Sequence, residues 1–294
     1  MWYKRSFGEW LFDGFNIAFM LLLMVIMLFP LWHVLVVSLS SPSQIALRGA
    51  TMIWPGGFNL EVYRLVFTNP MILTGFRNTL IIVFFGTSFG ILATLTSAYA
   101  LSRKWLAARK YFMWFIVVPM FFSGGLIPSF LLNRSLGLFD NRLVLILPGI
   151  YVTWYIIMMR AYFFTIPESL EESARMDGAN DFQILFRVIA PIATPIIAVI
   201  VLFYAVSFWN AWFGASIYLR DRNLFPIQLV LRNILVSGNM RDIDTGYLTG
   251  ANRVEVFKGI RYATIMVATV PILCVYPFLQ RYFVKGIMIG SIKG

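Results

Sequence analysis

Apolar residues in this chain gather into long unbroken runs separated by short polar segments. Six such runs can be read, at about 15–39, 79–101, 111–132, 143–164, 189–213 and 263–283. About twenty consecutive apolar residues span a bilayer as a helix, so each run is long enough to cross. In water-free hydrocarbon the backbone must satisfy its own hydrogen bonds, which leaves helices and closed barrels. Continuous runs, rather than strict alternation of apolar and polar residues, favour helices. The pattern predicts an all-α integral membrane protein with six transmembrane helices. The first run is longer than a signal-peptide core and follows Glu9 and Asp13, so it reads as a retained helix.

The polar segments are unequal. Residues 40–78 and 214–262 are long, 102–110 and 133–142 are short, and 165–188 carries a charged island. An even number of spans puts both termini on one side. Once the two long segments are set aside, Lys and Arg concentrate on the side of the termini, which places residues 1–14, 165–188 and 284–294 in the cytoplasm.

Composition sharpens the picture. The chain has 294 residues, is 60% hydrophobic and only 13% charged, with a mean hydropathy of +0.78. Soluble domains carry about 25% charged residues. The net charge of +11 comes from single basic residues at span edges, a pattern that suits anionic lipid and does not suit nucleic acid. One cysteine, Cys274, and one histidine, His33, exclude an internal disulfide and multi-histidine or thiolate metal sites. There is no P-loop sequence to cradle nucleotide phosphates. The six runs contain no Asp, Glu or Lys, and their only arginines, Arg160 and Arg281, lie near span ends. An ion-coupled secondary transporter or channel usually keeps an ionisable group at membrane depth, where it is expensive. Only His33 could serve, and it reads as a hydrogen-bonded packing residue. A membrane-embedded enzyme would need a catalytic cluster, and none is present. The sequence therefore predicts no catalytic residues, metal or cofactor in this chain, and any uphill movement of solute would draw its energy from elsewhere.

The island is the most structured of the polar segments. Thr165-Ile-Pro-Glu168 reads as a capping box opening a helix that runs to about Met176. Gly178 suits the left-handed turn that ends it. Asn180-Asp181-Phe182-Gln183 supplies a second helix start, and Pro191 and Pro195 re-aim the chain into the fifth run. Two short helices pinned by a glycine would project as a knob.

Glu172-Ser173-Ala174-Arg175-Met176-Asp177-Gly178-Ala179, followed by Ala190-Pro191 and Pro195, resembles the EAA signature of binding-protein-dependent ABC importer permeases, with Ser173 in place of the first alanine. The tail Gln280–Gly286, ending Gly290-Ser291-Ile292-Lys293-Gly294, is similar to that of the carbohydrate-uptake, MalG-like branch. Asn78-Thr79 and Trp209-Asn210 also fit. The resemblance covers nearly the whole chain and extends to permeases for polysaccharide-derived oligosaccharides, including uronate chains such as alginate or pectin fragments.

It implies a type I importer (MetI-like) permease fold over residues 15–283, in a bacterial inner membrane. A second permease, two ATP-binding subunits that hold ATP and Mg, and an extracytoplasmic solute-binding protein would complete the assembly. Segment 165–188 would be the coupling loop, with Glu171, Glu172, Ser173, Ala174, Met176, Asp177, Gly178 and Ala179 at the ATPase. Lys285, Gly290 and Lys293 of the tail would reach between the ATPases. Sugar sites use aromatic rings with nearby amides, which makes Trp154, Tyr155, Tyr204, Trp209, Asn210 and Trp212 candidates for the solute path. The outer segments carry a net positive charge, which would attract acidic solutes or an acidic binding protein.

Overall fold

The computed structural model describes residues 6–237 and 256–274, and the tail residues Lys285, Gly290 and Lys293 lie outside them. The described chain is helical, with a single antiparallel bridge between Ser40 and Phe58. It divides into two compact units, one of Met1–Asn69 with Ile234–Thr269, the other of Pro70–Asn233 with Val270–Gly294.

The first unit opens with α1, Phe7–Ser38. Its 32 residues would extend about 48 Å at 1.5 Å per residue. The Ser6 N–H donates to the Glu9 carboxylate at its start (2.8 Å). Only Val36, Val37 and Ser38 are buried, so nearly the whole apolar surface of α1 faces outward. A turn-rich segment follows, holding α2 (Pro42–Arg48) and α3 (Glu61–Thr68). Helix α3 is amphipathic: Val62 and Val66 are buried while Glu61 and Arg64 are exposed. Side chains tie this segment to the end of α1. Trp32 Nε1 donates to the Ile53 carbonyl (2.8 Å), and the Ser38 and Tyr63 hydroxyls share a 2.7 Å bond. His33 is half-buried, with Nδ1 3.2 Å from the Met52 carbonyl and its ring edge-on to Tyr262, as expected of a packing residue.

The second unit is built around α4, Pro70–Ser102, whose 33 residues extend about 50 Å. Around it lie α5 (Arg109–Phe121), α6 (Leu126–Ser135), α7 (Leu143–Gly149), α8 (Thr153–Phe163), α9 (Ser169–Met176), α10 (Asp181–Ile192), α11 (Thr194–Trp209) and α12 (Trp212–Tyr218). Helices α13 (Ile227–Ser237) and α14 (Val256–Cys274) complete the described chain.

Helices α1, α4 and α14 are each long and apolar enough to cross a membrane. Three of the expected spans are instead broken. The pair α5 and α6 bends by 116°, α7 and α8 by 42°, and α10 and α11 by 89°. Each break has a local cause. Gly125, at φ +85°, follows Pro119; Pro148 lies just before the α7–α8 break; Pro191 and Pro195 bracket the third. Just before Pro191 the helix widens to π register over Ile184–Ile189.

Small residues let α4 and α11 meet. A Cβ on Gly86 would lie 2.6 Å from the Phe208 ring, and one on Gly90 2.8 Å from the Tyr204 ring. The Tyr204 hydroxyl shares a 2.8 Å bond with Thr94 and donates to the Ile150 carbonyl (2.9 Å), joining α4, α11 and the break between α7 and α8.

Candidate functional site: a knob of two capped helices

The charged island folds as two short helices held by reciprocal backbone bonds. Helix α9 ends in a Schellman motif: the Ala179 N–H donates to the Ala174 carbonyl and the Gly178 N–H to the Arg175 carbonyl, both at 3.0 Å. Gly178 takes φ +81°, the left-handed conformation this turn needs. Asn180 then caps α10. Its side chain accepts from the Gln183 N–H while the Gln183 side chain accepts from the Asn180 N–H, both at 2.9 Å.

The first start differs from the sequence expectation. Thr165 does not cap α9, which begins at Ser169. Its N–H and hydroxyl both bond the Tyr162 carbonyl, at 2.9 and 2.7 Å, so the residue continues the last turn of α8. A threonine hydroxyl can satisfy itself on the preceding turn as readily as it can cap, and here the preceding helix won.

Ion pairs fix the knob to the Ser102 end of α4. Arg103 pairs with Glu171, and both side chains are only 9% exposed. Arg175 pairs with Asp181 across the turn and lies 5.4 Å over the Trp105 ring. Lys104 and Glu168 are 2.6 Å apart but largely exposed, so this pair contributes little. Burial pulls the Arg103 guanidinium below its ordinary value, opposed by Tyr99 and Glu168. It nonetheless stays cationic, because an arginine is protonated throughout the physiological range.

The eight residues assigned to the coupling loop thus divide. Glu172, Ser173, Met176, Asp177 and Gly178 are exposed, with Met176 84% open. Ala174 and Ala179 are half-buried and pack on the apolar core. Glu171 is buried and already engaged. Sequence reasoning passed over Phe182, an aromatic 69% exposed on the first turn of α10. Its signal was an apolar residue two positions after an N-cap in a polar segment.

The aromatic candidates for a solute path do not converge. Tyr204 is fully buried and hydrogen-bonded, and Trp209 is 7% exposed and packs edge-on to Phe76. Both are core residues. Tyr155 is half-buried against Tyr204, with ring centres 4.7 Å apart. Trp154 lines an apolar cavity of about 870 Å³ with Phe112, Phe115 and Met120, and neither Asn210 nor Trp212 reaches it. Asn210 is exposed, its amide donating to the Val206 carbonyl (3.0 Å). The Trp212 ring lies under Arg232 at 4.8 Å, a pairing with no sequence signal.

At the far end of α4, Asn78 and Thr79 form a polar knot. The Asn78 amide donates to the Asn223 and Phe225 carbonyls (2.7 and 3.0 Å) and accepts from Arg142 (3.0 Å). Thr79 accepts from the Ile227 N–H (2.9 Å). Nearby, the Asp140 carboxylate accepts from the Asp221 and Arg220 N–H groups, which hold it below the usual carboxylate range.

Residues 86–289 match the family model described as "Binding-protein-dependent transport system inner membrane component". The chain is 39% identical to the polygalacturonan/rhamnogalacturonan transport system permease protein YtcP of Bacillus subtilis, over 97% of this chain and 99% of that one. It is 36% identical to Protein LplC of the same organism, over 96% and 95%. A solved bacterial ABC transporter involved in the import of the acidic polysaccharide alginate has a chain 32% identical to this one, with a TM-score of 0.89, over 96% of this chain and 99% of that one. These findings do not favour an ion-coupled transporter or channel. The long apolar helices, the capped knob and the match over most of the length agree, and the chain belongs to the binding-protein-dependent transport system inner membrane components, the permease subunits of ABC importers.

Proposed function

We propose that this permease forms half of an oligosaccharide pathway across a bacterial inner membrane and is driven by ATP-binding subunits that grip the knob of α9 and α10. The observation that carries this reading is the knob itself. It is a rigid projection, closed by a Schellman turn and a reciprocal cap, that presents Glu172, Met176, Asp177 and Phe182 outward. A ligand moves a conformational equilibrium only by binding one state better than the other. ATP, with Mg, would be held by the partner subunits, and a stiff knob carries their closure into the helices. A second permease and an extracytoplasmic solute-binding protein complete the assembly.

Acidic, uronate-containing oligosaccharides are the favoured solutes. Similar proteins are named for polygalacturonan and alginate. The face of the second unit opposite the knob carries Arg77, Arg134, Arg220 and Arg222, all exposed. A basic approach speeds arrival of anionic solutes, and more so at low ionic strength. The test is uptake into proteoliposomes holding both permeases and both ATPases with the binding protein outside. A uronate trimer should enter in an ATP-dependent manner and its methyl-esterified form poorly. Equal uptake of the two would overturn the acidic preference, and uptake without ATP would overturn the coupling.

A further inference from the structure

We infer that the adjacent Glu171 and Glu172 act in opposite directions, and that Arg103 is the positioning residue that turns motion of the knob into motion of α4. The inference rests on the reading of the knob as the part gripped by ATPase subunits.

The geometry is asymmetric. Glu172 is exposed, whereas Glu171, one residue earlier on the same short helix, is 7% exposed and faces Arg103. The last turn of α4 holds Arg103 in place before any partner is met. Its Nε donates to the Ser102 hydroxyl (3.0 Å) and lies 3.4 Å from the Tyr99 carbonyl, and its guanidinium sits 4.6 Å over the Tyr99 ring. One of its terminal nitrogens then meets the Glu171 carboxylate. The guanidinium is therefore fixed by α4 on one side and fixes α9 on the other. Arg160 reinforces the same turn, donating from α8 to the Leu101 carbonyl (2.9 Å). Beyond that turn α4 is locked to α11 by the glycine contacts at Gly86 and Gly90, and Asn78 and Thr79 hold its far end. A displacement delivered to α9 reaches the opposite end of α4 through an unbroken set of packed groups.

Buried ion pairs seldom add net stability over apolar packing, but losing one partner leaves a buried charge uncompensated. A joint is therefore a better account of this pair than a stabilising contact. The neighbouring Lys104 and Glu168 pair also bridges the two segments, but it is exposed and screened and would transmit little force.

The experiment measures solute moved per ATP hydrolysed by the full complex in proteoliposomes, normalised to assembled complex. A residue that only stabilises the fold lowers the amount of complex and leaves that ratio alone. Arg103→Gln and Glu171→Gln should each lower the ratio about tenfold, the scale of a typical coupling free energy. Arg103→Lys keeps the charge but not the fork and the ring contact, so it should recover only part of the ratio. The exchange Arg103→Glu with Glu171→Arg should recover most of it. Lys104→Gln and Glu168→Gln should stay within about twofold of the parent. A ratio within about twofold of the parent in Arg103→Gln or Glu171→Gln would overturn the joint, as would an exchange no better than either single change. If the parent chain itself co-purifies with no ATPase, it is the ABC reading that fails.

Discussion

Gly86 shows how little room single residues leave in the second unit. Its missing side chain is what the Phe208 ring occupies. Gly86→Ala should cost about 1–3 kcal/mol, the usual penalty of overpacking, read as a lower thermal midpoint of the purified protein in detergent. Asp140 gives a pH signature. Its carboxyl is held low in the folded state, so the stability it contributes is present above its unfolded value and is lost as pH falls through the folded value. Asp140→Asn should flatten that loss in melting scans taken from about pH 5 downward, through and below the ordinary carboxylate value of about 4. Some residue roles were legible in the sequence and some were not, for a physical reason. The Asn180–Gln183 cap closes within four residues, so the sequence shows both partners together. The burial of Glu171 depends on Arg103, 68 positions away, and nothing local to the island distinguishes Glu171 from Glu172.

Among elements, apolar run length located the spans but not their bends. Hydropathy is blind to direction, so α5 with α6, and α7 with α8, read as single spans although they turn by 116° and 42°, whereas Pro191 and Pro195 already marked a change of direction ahead of the fifth run. The punctuation was visible as Pro119, Gly125, Pro191 and Pro195, but a proline within an apolar run fixes where a helix can bend and not by how much. Helix α4 begins well before its apolar run because the polar Arg77-Asn78-Thr79 stretch is itself helical, with Asn78 and Thr79 buried by bonds to distant loops. The turn between α9 and α10 carries the sharpest prediction at this scale. Gly178 has open space around a left-handed backbone, so Gly178→Ala meets only conformational strain of about 1–2 kcal/mol. Gly178→Pro also loses the N–H that bonds the Arg175 carbonyl and cannot reach φ +81°. It should abolish transport while membrane insertion, followed by fractionation, is retained. Glu172→Lys should do the same by reversing the charge presented by the knob.

The molecule as a whole exposes far more apolar surface than water would tolerate. Helix α1 shows Phe12, Phe15, Leu22 and Met27 each more than half open, and Trp154 and Phe115 are similarly bare. Bilayer lipid is the natural cover for such faces, and under the proposed function a companion permease shares it. The chain is a transport subunit by its family, and under the proposed function work enters it from partner subunits through the knob. The most direct measurement places a photo-crosslinking amino acid at Phe182 in the complete complex and identifies the adduct by mass spectrometry. An adduct with an ATP-binding subunit, lost in Gly178→Pro, is the expected result. An adduct with the extracytoplasmic binding protein, or none with any nucleotide-binding chain, would contradict it.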